Sequence, residues 1–113
     1  CLEPVMEMYN GDLRASGLES VIFGHIGNNH VHVNILPNSI EDYAKGKEMY
    51  MSWAKRVVEM GGSVSAEHGI GKLKAGFLAL MYGPDAIAEM RALKALFDSE
   101  MILNPGNLFP SGQ

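Results

Sequence analysis

Residues 21–34 read V-I-F-G-H-I-G-N-N-H-V-H-V-N, and this stretch decides the fold. Val21, Ile22 and Phe23 are β-branched or aromatic, side chains that suit a pleated strand. Val31, Val33 and Ile35 alternate with His30, His32 and Asn34, the period of a half-buried strand. Between the two runs lies Gly27-Asn28-Asn29, residues that tolerate positive φ and therefore suit a turn. A short loop between two strands predicts an antiparallel hairpin. Residues directly opposite in such a pair share a face. With His25 near His30 at the loop end, His25, His30, His32 and Asn34 project to one side and Val31, Val33 and Ile35 to the core. Paired histidines at i, i+2 also occur on ordinary solvated strands. A third imidazole across the turn adds weight to metal binding, because imidazole is the commonest metal ligand. The spacing alone does not choose which two of the three would bind.

Working outward, residues 3–15 have Val5, Met6, Tyr9 and Leu13 at helical spacing, and Gly17 fits a stop. Met6, Met8 and Tyr9 are expected to pack. Beyond the hairpin, Ser39 followed by Asp42 forms an N-cap pattern. It opens a helix over residues 40–60 whose expected buried stripe is Ile40, Tyr43, Ala44, Lys47, Tyr50, Met51, Ala54, Val57 and Val58. Lys55 and Arg56 complement its dipole, and Gly61-Gly62 ends it. Trp53 is a packing or interface residue.

Residues 63–66 are short enough to add a strand to the hairpin. Next comes S-A-E-H-G-I-G, which holds Glu67 and His68, the last of four histidines. Gly71-Lys72 is no phosphate loop, since Leu73 stands where that motif needs a hydroxyl. A short helix is predicted over 73–81. Another starts at Gly83-Pro84, stops near Ser99, and buries Ile87, Met90, Leu93 and Phe97. The apolar segment M-I-L-N-P-G-N-L-F-P, residues 101–110, is expected to be ordered and extended.

Composition bounds the function. A chain of 113 residues with 47% hydrophobic content is one domain with a core of its own. A net charge of −4 argues against nucleic acid, whose phosphates call for a basic surface. One cysteine, Cys1, makes no internal disulfide. No apolar run is long enough for a transmembrane segment. The expected location is cytoplasmic or peripheral at the inner face of a membrane. The start without Met suggests a fragment.

A glutamate placed beside the imidazoles supplies an anionic third ligand. Two histidines and a carboxylate suit a divalent first-row metal with open positions. His68, beside that carboxylate, is matched to general-base work near neutral pH.

The F-G-H-x-G-x-x-x-x-H-x-N stretch, the S-A-E-H-G-I-G segment and the closing L-N-P-G together resemble the C-terminal domain of FAD-linked oxidases. That group includes D-lactate dehydrogenase, the glycolate oxidase D-subunit and D-2-hydroxyglutarate dehydrogenase. The three motifs run in order over residues 21–109. The resemblance implies an α+β fold, an antiparallel ferredoxin-like sheet with helices packed on one face, here a truncated substrate (cap) domain. Residues 1–113 would form its C-terminal part, and the N-terminal FAD-binding domain would be a partner absent from this chain. It implies oxidation of a D-2-hydroxy acid over FAD. It implies a divalent metal (zinc, manganese or iron) on His25, His32 and Glu67, with His25 and His32 also facing the substrate. His68 would be the catalytic base, Asn34 a substrate contact, and Asn104 part of the tail approaching the flavin. Many relatives carry G-D-G-N where this chain has Gly27-Asn28-Asn29-His30, so His30 is an additional histidine whose role the resemblance leaves open. The resemblance implies that the flavin-binding domain, the earlier part of the substrate domain and the basic residues that would hold the substrate carboxylate are missing here, so the chain alone should neither bind FAD well nor turn over. The competing readings are a free-standing metallohydrolase using the same ligands and a homo-oligomerisation module.

Overall fold

The computed structural model describes residues 2–65 and 67–110. The order of elements is α1 (Leu2–Ser16), β1 (Glu19–His25), a single 3-10 turn (Ile26–Asn28), β2 (His30–Leu36), α2 (Ile40–Glu59) and α3 (Ala75–Phe97). Three helices and a two-stranded antiparallel sheet make the chain α+β, as expected. It divides into two compact units, Cys1–Val57 and Val58–Gln113.

In the first unit the core is Met8 and Leu13 of α1, Val33 of β2 and Trp53 of α2. Val5, Tyr9, Ile22, Val31, Ile35, Met49 and Val57 pack around it. Trp53 is 3% exposed. Its ring meets Tyr9 edge-on at 4.7 Å and Tyr50 at 5.6 Å, and its indole N–H donates to Asp12 Oδ2 at 2.7 Å. Such a residue combines large apolar burial with a satisfied polar tip. Tyr50 donates its hydroxyl to the Val33 carbonyl, tying α2 to β2. Burial raises the Tyr9 and Tyr50 phenols above the ordinary tyrosine value.

The ends of α1 and α2 behave as their sequences indicate. Gly17, at φ 70°, donates its N–H to the Leu13 carbonyl and stops α1. At the start of α2, Ser39 Oγ accepts the Asp42 N–H at 3.0 Å and Asp42 Oδ2 accepts the Asn38 N–H at 3.1 Å, a reciprocal cap.

The buried stripe of α2 is rotated from the expected one. Gly46, Met49, Trp53 and Val57 face the core, with Ala54 also buried. Ile40 is 88% exposed, and Tyr43, Ala44, Lys47 and Met51 are also exposed. Gly46 faces Ile35 of β2, and a Cβ built there would sit in ordinary van der Waals contact with that side chain, at 3.5 Å.

In the second unit, Ser63, Val64 and Ser65 form a bend, not a third strand; Ala66 lies outside the described residues. Helix α3 is broken at Gly83 (φ 76°, ψ 171°), just before Pro84. The predicted break between two helices is therefore real. Of the expected stripe, Ile87 and Met90 are half-buried, but its C-terminal members are not. Phe97 is 82% exposed and Leu93 is exposed too, whereas Ala75, Leu78 and Phe109 are buried. Phe109 belongs to the closing segment, not to α3. The closing segment is ordered but turned, not extended, with Met101, Asn104 and Leu108 at positive φ. Among the described residues, no helix is long and apolar enough to cross a membrane.

Candidate functional site

The hairpin register places His25 opposite His30, Phe23 opposite His32, Gly24 opposite Val31 and Val21 opposite Asn34. His25, His30, His32 and Asn34 therefore share one face, and Val31, Val33 and Ile35 share the other, as the alternation predicts. The turn that makes this possible is a 3-10 turn closed by Asn29 in the left-handed region (φ 52°), whose N–H donates to the Ile26 carbonyl at 3.0 Å. Gly24 permits the strands to close there. A Cβ on it would lie 2.9 Å from Val31 Cα, 3.1 Å from the His30 carbonyl carbon and closer still to the carbonyl oxygen.

Three imidazoles gather on that face. The His25 and His30 ring centres are 5.6 Å apart, and those of His30 and His32 4.5 Å apart, each pair tilted. His32 also stacks on Phe23, at 5.1 Å and 23° between planes. Phe23 is 53% exposed. Its place on this face was open to sequence reasoning: counting back by two from His25 arrives at Phe23 and Val21.

Glu67 and His68 belong to the second unit. They are neighbours in an exposed loop, with Glu67 Oε1 3.5 Å from His68 Nε2. Gly69 (φ 69°) and Gly71 (φ 62°) turn this loop through left-handed conformations that other residues adopt at a cost. The loop is attached to the closing segment: the Gly71 carbonyl accepts the Leu108 N–H at 3.3 Å, and Asn107 Oδ1 lies 3.6 Å from where a Gly71 Cβ would sit.

The closing segment is in turn anchored to α3. Asp98, buried at the end of that helix, accepts from the N–H groups of Ile102 (3.1 Å) and Leu103 (3.0 Å) and pairs with Lys94. Lys94 also donates to the Leu103 carbonyl at 2.8 Å. The Lys94 ammonium, with help from the two backbone donors, holds the Asp98 carboxyl below the ordinary aspartate value. Asn104 sits at φ 46°, its carbonyl accepting the Asn107 N–H at 3.0 Å. The Arg91 guanidinium lies over the Phe109 ring, 5.4 Å from its centre. Sequence reading singled out Asn104 but missed Asp98, the carboxylate that sets the path into it.

Imidazole nitrogens and carboxylate oxygens are donors of the kind a borderline divalent metal takes; the hairpin unit offers the first and the glycine-flanked loop of the second unit offers the second. Comparison with known proteins bears on what it is for. The family model described as FAD linked oxidases, C-terminal domain, matches residues 3–108. The chain is 42% identical over 95 residues to the D-2-hydroxyglutarate dehydrogenase of Stutzerimonas stutzeri (strain A1501), covering 80% of this chain and 20% of that protein. It is 33% identical over 89 residues to glycolate oxidase subunit GlcD of Bacillus subtilis (strain 168), covering 77% and 19%. It is 37% identical over 89 residues to the D-lactate dehydrogenase of Anaerostipes hadrus, covering 76% and 19%. The chain spans about a fifth of the length of these curated relatives.

Proposed function

Because the chain belongs to the family of FAD-linked oxidase C-terminal domains, we propose that it is the C-terminal part of the substrate domain of a flavin-dependent dehydrogenase that oxidises a D-2-hydroxy acid to the 2-keto acid. The three relatives are named for 2-hydroxyglutarate, glycolate and lactate, which share a hydroxyl α to a carboxylate and differ beyond it. The observation that carries the reading is the ordered polar face of the hairpin, with His25, His32 and Asn34 projecting together. The resemblance assigns these residues to the family's histidine and asparagine motif. The relatives' names do not favour a free-standing hydrolase or an oligomerisation module.

His25, His32 and Glu67 are the proposed metal ligands. When bound, FAD supplies the hydride acceptor for the substrate C2, and a divalent metal supplies Lewis acidity at the hydroxyl. This chain's residues do the rest. Asn34 hydrogen-bonds the hydroxy acid from the hairpin face. His68 takes the hydroxyl proton on a ring nitrogen as the C2 hydride departs, leaving the 2-keto acid. The Glu67 carboxylate lies 3.5 Å from His68 Nε2. The closing segment, shaped by Asp98 and Lys94, carries Asn104 on the cofactor side.

The test is expression of the complete open reading frame. A yellow product whose flavin is bleached by a D-2-hydroxy acid is expected, with bleaching slowed by about 100-fold or more in His68→Gln. A colourless product that takes up no added FAD overturns the reading.

A further inference from the structure

The closing segment carries Asn104 and also touches the loop that bears His68. We propose that Asp98 is a positioning residue for His68, holding the base loop through the closing segment and its Leu108–Gly71 contact. The inference rests on the dehydrogenase reading above, which gives His68 its role. It concerns a residue to which that reading gives no contact with substrate or flavin.

Every link lies within the second unit. Among the described residues Asp98 is the one buried charged side chain, 6% exposed at the end of α3. A carboxylate in such a place is costly unless its oxygens are satisfied. Oδ1 accepts the Ile102 N–H at 3.1 Å, and Oδ2 accepts the Leu103 N–H at 3.0 Å and the Lys94 ammonium. The Asp98 carbonyl accepts the Met101 N–H at 3.0 Å, and Lys94 reaches on to the Leu103 carbonyl at 2.8 Å. Ile102 and Leu103 are nevertheless 72% and 61% exposed. Their side chains bury too little to choose a path, so the carboxylate and its lysine choose it.

From that root the chain turns twice through left-handed positions, at Asn104 (φ 46°) and Leu108 (φ 61°). The Asn107 N–H closes the first turn on the Asn104 carbonyl at 3.0 Å. Phe109 seats the far end, buried with the Arg91 guanidinium over its ring. Between these two anchors the Leu108 N–H meets the Gly71 carbonyl at 3.3 Å. That is just beyond the usual range of about 2.7–3.2 Å, so a small displacement of the segment breaks the bond. The loop it meets forms no helix or strand, and Gly69 and Gly71 leave its backbone wide conformational freedom. His68 lies three residues before Gly71. A shift of about 1 Å in a reacting group costs on the order of 100-fold in rate. Asp98 therefore bears on the proton-taking step without meeting the substrate.

The experiment uses the product of the complete open reading frame carrying Asp98→Asn, which keeps one acceptor oxygen, or Asp98→Ala, which keeps none. The probe is whichever of D-lactate, glycolate and D-2-hydroxyglutarate reduces the flavin of the unaltered protein. Flavin reduction at saturation gives the rate, half-saturation reports binding, and hydrogen exchange at the Leu108 amide reports the brace. FAD, held mainly by the domain absent here, should be retained, with half-saturation within about 3-fold of the unaltered value. Leu108 exchange should speed up by about 10-fold or more. Reduction should slow by roughly 10–100-fold, more in Asp98→Ala than in Asp98→Asn. Glu100→Gln, which removes an exposed carboxylate two residues away, should leave all three unaltered. Asp98→Asn alone decides if Asp98→Ala does not fold. Unchanged Leu108 exchange overturns the coupling, and faster exchange with an unchanged reduction rate overturns the role toward His68. Loss of FAD, or a change in half-saturation alone, marks Asp98 as a general structural prop and overturns the proposal as well. If the unaltered protein holds no flavin, the dehydrogenase reading falls and takes the role of His68 with it, while Leu108 exchange still decides whether Asp98 fixes the loop.

Discussion

Replacing Gly24 by alanine should disable the hairpin from its turn end. The added methyl would lie 2.9 Å from Val31 Cα and nearer to the His30 carbonyl oxygen. Both are backbone atoms, so no side-chain rotation relieves the clash. Gly24 also sits at φ 153°, a region L-residues rarely adopt. The partner strand must retreat by roughly 1 Å from its usual 4.7–4.9 Å spacing. Overpacking of this kind costs about 1–3 kcal/mol, and one or two stretched ladder hydrogen bonds add about 1 kcal/mol each. The expected loss is therefore about 3 kcal/mol. Urea unfolding of Gly24→Ala against the unaltered 113-residue chain measures it. Hydrogen exchange should speed up at the amides of residues 30–34 and leave those of α3 unchanged. A loss below about 0.5 kcal/mol, the usual effect of a neutral surface change, with unaltered exchange would refute the close-approach argument.

Two further outcomes test the packing and electrostatics. Trp53→Ala should lower stability by about 3–5 kcal/mol, because it empties the centre of the first unit and leaves Asp12 without its indole donor, and thermal unfolding would show it. Asp98 has a folded pKa below the ordinary aspartate value, so its contribution is complete above that ordinary value and is lost as pH falls through the lower folded one. An acid titration followed by Phe109 burial should show this limb, and Asp98→Asn should flatten it.

The hairpin was the most legible part of the chain. Alternation of Val31, Val33 and Ile35 with His30, His32 and Asn34 admits one phase, because a slip by one residue would bury the imidazoles. That left only the loop length to place His25, and the loop begins one residue earlier than Gly27, at Ile26. Helix α2 was less legible because apolar and amphipathic residues lie all around it. Tyr43, Tyr50 and Met51 define one stripe as well as Met49, Trp53 and Val57 define another. The choice is made by packing of Trp53, Met49 and Val57 against Met8, Leu13 and Val33, contacts with no signal in the helix's own periodicity. The same limit hid the role of Phe109. Its burial depends on the turns after Met101, and these depend on Asp98, which reads in sequence as an ordinary helix-end carboxylate. The glycines around Glu67 and His68 were readable as sharp backbone turns, but the Leu108 partner was not, since 37 positions separate it from Gly71.

That last contact has a consequence for synthesis. A ribosome emits the loop bearing Glu67 and His68 well before Leu108, whose amide braces it. The loop can take its final shape only once the closing turns have emerged, whereas every strand and helix of the hairpin unit is by then already outside. The loop bearing Glu67 and His68 is thus shaped last, after the hairpin unit has had time to fold.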